Sequence, residues 1–415
     1  MTQAPAAPQT PATQKLWNRN FLLWWLGAAQ SALGSALSGI ALSFLVLHQT
    51  GSAGAMGVNL ALSMLPALFA PFFGTLIDRL PLKPPLIACH LLRGVMQLGI
   101  GFAALRGHVP IEAIYAVSFL TGLIAAFYTS ASMGVTVRLV PREQLQRATG
   151  LMQGTSQTMQ MVGLLGGGFL VAVLGRGEAL IFDGVTFLVF AALLLPVQFP
   201  PRKAAAAGER FWQSFRGGLK YARGSVLLTG LPLVALVLNA SFAPLDMLIP
   251  KRMQVLGAGA AGYGLFFGML VAGMAAGGFL VAWLGERVKP DRASVWGMAL
   301  MGTMTLLLAF TQTAPQMYAL ALLMGLANAF CNMGIGVIFQ TRVDPDFYGR
   351  VGSLLSAVGM VGMPVTLLAL SPFADRIPVA VIFGVAGGLT LLGAAVWGAI
   401  LRREGASTAP AAAPA

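Results

Sequence analysis

The sequence predicts an all-α membrane protein of twelve transmembrane helices in two six-helix bundles. Of the 415 residues, 57% are apolar and only 9% are charged, whereas a soluble domain carries about 25% charged residues. Apolar stretches long enough to span a bilayer, which takes roughly 20 residues, recur along the whole chain. One long polar segment divides these stretches into two sets of six.

The predicted spans follow the apolar runs between charged, proline or glycine breaks. The first set covers residues 21–47, 55–77, 84–105, 110–137, 149–175 and 179–199, and the second covers 225–249, 260–285, 293–311, 315–341, 350–372 and 378–401. The first run is too long for a signal-peptide core and follows a tail with no basic region, so we expect it to remain as a span. The predicted organisation is a tail (1–20), a first bundle (21–199), a linker (200–224), a second bundle (225–401) and a second tail (402–415).

The linker is the only sizeable polar stretch, and it contains PRKAAAAGERFWQSFRGGLKYARG. Its aromatic residues Phe211, Trp212, Phe215 and Tyr221 indicate an amphipathic helix on the membrane surface. A solvated basic loop is the alternative.

The basic residues predict the orientation. The net charge is +13, and alternating the loops between two sides places 20 of the 26 lysines and arginines on the side of both termini. This bias identifies the cytoplasmic face. We therefore expect a multi-pass protein of the cell (inner) membrane with both termini in the cytoplasm. The charge then reflects topology, and no nucleic-acid partner is expected.

Two similar turns lie six spans apart. The chain reads RLVPREQLQRATGLMQ from Arg138 and RVDPDFYGRVGSLLSA from Arg342, and each turn has a second arginine, Arg147 or Arg350, at the start of a helix rich in small residues. Two halves built alike are typical of transporters that bind a substrate between two bundles and rock them around it.

The turn GTLIDRLPLK resembles the loop signature G-x-x-x-D-R-x-G-R-K of the major facilitator superfamily. The matching residues are Gly74, Asp78, Arg79 and Lys83, whereas Pro81 and Leu82 replace the usual glycine and arginine. The turn from Arg138 is similar to that of the macrolide-efflux and enterobactin-exporter branch. The resemblance extends over nearly the whole chain in layout, and its motif matches are short.

This resemblance implies a major facilitator fold and a gate on the cytoplasmic side. Asp78 would meet the positive N-terminal end of the eleventh span near Arg350, and a solvated loop charge is the alternative. The expected gate residues are Gly74, Asp78, Arg79, Lys83, Arg138, Arg342 and Arg350. Two exporter features are absent: the fourth span has no embedded arginine, and Leu164 replaces the proline of the fifth-span signature.

Ionisable residues inside predicted spans are expensive and need an explanation. Asp246 lies between Pro244 and Pro250 in the seventh span, and it is the leading candidate for binding a cation or carrying a proton. Alternatively, it pairs with Lys251 or Arg252 at the outer interface. Asp183 is a weaker candidate, since it is expected near the outer surface on a peripheral helix.

Further candidates lie in the first and third spans. His90 and Arg93 are three residues apart and share one helical face, either for structural pairing within the bundle or as a titrating relay. Gln30, with Ser31 and Ser35, adds neutral hydrogen-bonding groups that suit an amphipathic organic substrate. Alternatively, these groups join helices to one another.

The sequence offers nothing for enzymatic chemistry. It contains no GxxxxGK[ST] loop and no HExxH helix, and Cys89 and Cys331 lie in opposite halves, so we expect no cofactor and no metal. The expected function is proton-coupled efflux, by antiport, of a hydrophobic or amphipathic small molecule such as a drug or siderophore-like metabolite. A nutrient importer or lipid flippase of the same fold is the alternative. We expect a monomer in the lipid bilayer.

Overall fold

The structure is a computed structural model that describes residues 16–77, 80–107, 109–132, 134–199, 216–217, 219–221, 223–344 and 347–407. These residues form 14 α-helices and three short 3-10 segments, and the part of the chain described contains no strand. The prediction of an all-helical protein is confirmed.

Eight helices precede the linker: α1 (Arg19–Thr50), α2 (Ala53–Met64), α3 (Ala70–Ile77), α4 (Lys83–Leu105), α5 (Ile111–Ser132), α6 (Val135–Leu139), α7 (Leu145–Leu174) and α8 (Arg176–Leu194). Six follow it: α9 (Val226–Val255), α10 (Gly259–Leu284), α11 (Pro290–Leu308), α12 (Ala314–Arg342), α13 (Tyr348–Leu370) and α14 (Val379–Ser407). Each predicted span overlaps one of these helices or a consecutive pair of them.

In the part of the chain that the structure describes, ten helices are long and apolar enough to cross a membrane. The other two predicted spans are a broken segment and a polar-ended helix. Between α2 and α3 a 3-10 segment, Leu65–Phe69, contains Pro66, which has no N–H to donate to an α-helical turn. Helix α11 has only 19 residues and carries Asp291 and Arg292 in its first turn, which lowers its mean hydropathy.

The linker is described only in part. Phe211, Trp212 and Phe215, on which the amphipathic-helix prediction rests, lie outside the described residues. Tyr221 is described, and its ring stacks on Phe347 with centroids 4.0 Å apart. This contact holds the end of the linker against the second half of the chain.

The apolar core differs between the two ends of the helices. We call the end at which α1 and α4 begin the basic face, since the predicted basic loops lie there, and the other end the opposite face. At the opposite face one core contains residues of both halves, including Leu45 and Met56 from the first and Leu248 and Phe266 from the second. Towards the basic face each half has a core of its own. The halves therefore pack together at the opposite face.

Glycines allow close contact between the halves at that end. A Cβ placed on Gly168 of α7 would lie 2.3 Å from the carbonyl oxygen of Ala260, and one on Gly264 of α10 would lie 2.5 Å from that of Leu164. Small residues let helix backbones approach closely in lipid. By contrast, a Cβ on Gly166 would meet no atom of the described residues within 4 Å, so this position of α7 does not require glycine.

We predict that Gly168→Val destabilises this interface, whereas Gly166→Val, two residues away on the same helix, serves as a matched control. Overpacking costs about 1–3 kcal/mol, so the melting temperature of the purified protein should fall by several degrees for Gly168→Val alone. Fluorescence-detected gel filtration after heating would measure this. Equal melting of the two variants would contradict the close α7–α10 contact.

Candidate functional site

A cavity of about 570 Å³ lies within the first half. Its wall is formed by side chains of α1, α4, α5, α6, α7 and α8. The lining residues are Trp24, Ala28, Ser31, Ala32, Ser35, Ala36, His90, Arg93, Tyr128, Ser132, Thr136, Met152, Gln153, Ser156, Gln160, Leu164 and Phe190. Trp24 and Phe190 also belong to the basic-face core of this half, so the cavity lies towards the basic face.

His90 lies against the aromatic part of the cavity wall. Its ring centroid is 4.1 Å from that of Phe190, 4.7 Å from Tyr128 and 5.8 Å from Phe187. The residue is 1% exposed, and neither ring nitrogen has a hydrogen-bond partner among the described residues. The imidazole is therefore fixed by packing and its polar atoms are unsatisfied.

Arg93 follows one turn later on the same face of α4, as predicted. Its guanidinium carbon lies 4.1 Å from the centroid of the Phe187 ring, which is a cation–π geometry. Its Nε atom has no hydrogen-bond partner in the part of the chain that the structure describes. Arg93 therefore makes an aromatic contact as well as an electrostatic interaction with Asp183 of the same half, and both His90 and Arg93 lie on the cavity wall.

Asp183 is buried within the first half and makes hydrogen bonds to neighbouring helices. It is 1% exposed, and its carboxylate accepts hydrogen bonds from Gln97 Nε2 at 2.8 Å and from the Thr186 hydroxyl at 3.4 Å. Gln97 also donates to Ser38 Oγ at 3.0 Å. A buried carboxylate needs hydrogen-bond donors around it. Here Gln97 of α4 bonds both Asp183 and Ser38, so these contacts join α8 to α4 and α1.

Gln30 joins helices and does not line the cavity. Its side-chain amide donates to the Thr186 carbonyl at 2.7 Å, which connects α1 to α8. By contrast Ser31 and Ser35, predicted alongside it, do line the cavity. Of the neutral hydrogen-bonding groups predicted in the first span, the two serines therefore face the cavity.

Asp246 lies in α9 within the part of the molecule that is closed at the opposite face. It is half-buried, between Leu245 and Met247 of the shared core. The expected pairing with Lys251 or Arg252 is wrong, since Lys251 binds Asp375 and Arg252 donates to the Thr311 carbonyl. Asp246 has no hydrogen-bond or ion-pair partner among the described residues, and it is not part of the cavity lining.

The predicted gate residues are dispersed. Asp78 and Arg79 lie outside the described residues, and Gly74 is in α3. Lys83 donates to the Leu195 carbonyl, which ties the start of α4 to the end of α8. Arg138 is half-buried in α6.

The gate residues of the second half make different contacts. Arg342 binds both oxygens of Asp291, at 2.8 and 2.7 Å, and lies 3.5 Å from Glu404. It therefore connects the basic-face ends of α11, α12 and α14 within one half. Arg350 lies over the Phe347 ring, 5.5 Å from its centroid.

A cluster at the opposite face joins the two halves, and we call Ser52, Ala53, Gly54, Lys251 and Asp375 the latch. Asp375, in the turn after α13, accepts hydrogen bonds from the Ala53 and Gly54 N–H groups at 3.0 and 3.2 Å and from the Ser52 hydroxyl at 2.5 Å. Lys251 Nζ lies 2.6 Å from the same carboxylate. Asp375 thus caps the positive N-terminus of α2 and also binds the end of α9.

The latch carboxylate is ionised at neutral pH. Burial raises the pKa of Asp375. The hydrogen bonds from Lys251, Ser52 and the two backbone amides together outweigh burial and lower this pKa to about 2. A depressed pKa means that the latch stabilises the closed face above the ordinary aspartate pKa of about 4. This stabilisation is lost as the pH falls towards 2.

Sequence reasoning missed the latch. Asp375 lies in a short loop, where a carboxylate is ordinarily solvated. The available signal was Ser52 just before an apolar run, an N-cap pattern that leaves free N–H groups for an anion, together with Lys251 on the same predicted face. Nothing in the sequence reports that the three residues meet.

Comparison with known proteins identifies relatives along nearly the whole chain. A family model described as Major Facilitator Superfamily matches residues 24–293 and 233–415. Macrolide efflux protein A of Streptococcus pyogenes is 26% identical over 382 residues, covering 90% of this chain and 94% of that protein. The multidrug efflux pump Tap of Mycobacterium tuberculosis (strain ATCC 25618 / H37Rv) is 25% identical over 368 residues, covering 83% and 84%.

Solved structures share the fold at low sequence identity. A bacterial homolog of the human lysosomal transporter Spinster, in an inward-facing and unoccupied conformation, aligns with a TM-score of 0.71 at 12% identity, covering 94% of this chain and 98% of that one. The nucleoside transporter NupG aligns with a TM-score of 0.73 at 12% identity, covering 93% and 99%. These likenesses establish the fold alone.

We predict that Asp375→Asn weakens closure of the opposite face, because it removes the charge that Lys251 and the α2 N-terminus bind. A half-exposed ion pair contributes up to about 1 kcal/mol after solvent screening, which corresponds to about a fivefold rise in the open-to-closed ratio. Pulsed electron paramagnetic resonance would measure the distance between spin labels at Thr50 and Gln254, which are both exposed at this face. A larger population at long distance would report the open state.

Glu112→Gln is the matched control, since Glu112 is an exposed carboxylate at the opposite-face end of α5. It should leave the distance distribution unchanged. A distribution for Asp375→Asn that matched the control would show that the latch does not contribute to closure.

Proposed function

The chain belongs to the major facilitator superfamily, and from that membership we propose a secondary transporter that exports a hydrophobic or amphipathic small molecule by alternating access. The observation that carries this proposal is the division of the apolar core. The two halves share one core at the opposite face but have separate cores towards the basic face, where the cavity lies. Such an arrangement suits a carrier whose site is reached from one side at a time.

We further propose twelve spans in two six-helix bundles, 21–199 and 225–401, acting as a monomer. The two spans beyond the ten long apolar helices would be the 53–77 segment and α11. Because most lysines and arginines lie in loops of the basic face, we assign that face to the cytoplasm. Both termini would then be cytoplasmic. The structure then corresponds to a state that is closed on the outside and receives its substrate from the cytoplasmic side.

Export is the favoured direction because relatives from two genera are named an efflux protein and an efflux pump. The cavity lining supports an amphipathic substrate, since it combines aromatic rings with hydroxyl and amide groups. The relatives' substrates, macrolides and multiple drugs, are proposed for this chain only as a class of amphipathic molecule.

For the coupling ion we propose the proton, with Asp246 as its carrier. An unpaired carboxylate within a span is costly, and protonation removes the charge. In this state Asp246 is half-buried beside Leu245 and Met247 of the shared core, so opening of the opposite face would expose it further to the outside. Asp78 and Arg79 would close the cytoplasmic side in that second state by meeting the start of α13 near Arg350.

The test is flux of a panel of lipophilic dyes, macrolides and siderophores in proteoliposomes, with and without an imposed pH gradient. Asp246→Asn should lower gradient-driven flux about tenfold or more, the scale of a coupling free energy of about 1–3 kcal/mol. Exchange of substrate without a gradient should persist. Glu178→Gln, an exposed carboxylate at the start of α8, is the matched control.

Each other outcome is decisive. Flux that ignores both the gradient and the mutation would remove the proton and Asp246 from the proposal. Gradient-driven movement of substrate in the direction of uptake would identify an importer. Movement of labelled phospholipid between leaflets would identify a flippase. No flux of any compound would contradict the transporter itself.

A further inference from the structure

We propose that the first-half cavity is an anion subsite that binds an amphipathic molecule carrying a carboxylate, with Arg93 as its charge partner. This inference rests on the proposed function and names the substrate class. It follows from the unsatisfied polar atoms, the charge and the shape of the cavity wall.

The buried polar atoms at the wall are mainly donors that lack acceptors. Trp24 Nε1, Arg93 Nε and both ring nitrogens of His90 have no hydrogen-bond partner within the described chain. Trp24 is 2% exposed and His90 is 1% exposed, so these atoms belong to a built site. A buried donor without a partner costs about 1–3 kcal/mol, and a ligand rich in acceptor oxygens would remove that cost.

The charge on the wall is positive. Among the described residues of the lining, Arg93 is the one permanently charged side chain and none is acidic. Asp183 interacts electrostatically with Arg93, but its carboxylate is engaged by Gln97 and Thr186 and does not line the cavity. The described residues therefore supply no acceptor for the guanidinium on the cavity side, and a carboxylate fits its planar donor geometry.

Aromatic rings define the rest of the site. Trp24 lies 5.5 Å from Phe190 and 6.3 Å from Tyr128, centroid to centroid, and His90 contacts the last two rings. The volume of about 570 Å³ is ordinary for a drug-sized molecule. An apolar or aromatic body with one acidic group matches this wall, whereas a cationic amine would meet Arg93 without a lining carboxylate and would be repelled.

The experiment compares three probes of the same shape on the full chain in nanodiscs at neutral pH. They are a naphthyl-substituted alkanoic acid, its uncharged methyl ester and the matching amine, and equilibrium dialysis measures their affinities. We expect the acid to bind about tenfold more tightly than the ester, or 1.4 kcal/mol, and the amine to bind least. Arg93→Gln should abolish the advantage of the acid over the ester, and Arg93→Lys should retain part of it.

Two further variants keep the test independent of folding defects at Arg93. Arg106→Gln removes an exposed charge just after α4 and should change nothing. Gln160→Glu adds a carboxylate to the lining with little change of shape, so it should weaken the acid and strengthen the amine.

Equal affinities of acid and ester in the unmodified protein, or a preference for the amine, would overturn the anion subsite. An acid preference that survived Arg93→Gln would overturn the role of Arg93. Either failure is separate from failure of the proposed function, because a neutral or cationic compound could still be carried in the flux assay.

Discussion

Every backbone N–H and C=O group inside the hydrocarbon layer must find its hydrogen bond within the protein, and the other features of this molecule depend on that condition. Long helices meet it segment by segment, so the chain has few loops and few strongly polar side chains between them. Because lipid tails are as apolar as the helices, association depends on close packing at small residues. Gly168 and Gly264 provide this contact between α7 and α10. The same contact can be broken without exposing backbone groups, so the halves are able to separate at one end.

The two ends of the molecule are therefore held by different means. At the opposite face a shared apolar core and the Asp375 latch act together, and the ion pair of the latch contributes up to about 1 kcal/mol. Its carboxylate stays ionised across physiological pH, so it supplies orientation and register rather than a pH response. At the basic face, ion pairs such as Arg342 with Asp291 lie within one half. They stiffen that half and do not oppose separation there.

The helices of this fold were predictable from sequence because a helix that spans the bilayer needs a long apolar run, and such runs are visible in the sequence. The exceptions are physical: Pro66 interrupts the second span, and the charged first turn of α11 shortens the apolar part of the ninth. For the site, His90 and Arg93 stood out because polar groups are rare within apolar runs. The neighbours of each group were not predictable. The hydrogen bonds that join Asp183 to Gln97 and Thr186 were not predicted, and Asp375 was not singled out, since sequence gives position along a helix but not the residues across from it.

The two proposed ionic sites lie in different halves and on different sides of the closed core, so they need not compete for one ligand. Asp246 is half-buried beside the shared core, while Arg93 lines the cavity towards the basic face. If both proposals hold, coupling arises because a single conformational change exposes one site as it closes the other, not because a proton displaces the substrate directly. One proton entering and one anion leaving would each move charge in the direction favoured by an interior-negative potential. Moving two charges corresponds to about 4.6 kcal/mol per 100 mV. Exchange of a proton for a cationic amine moves no net charge, so at the same membrane potential an exporter of organic acids has the larger driving force.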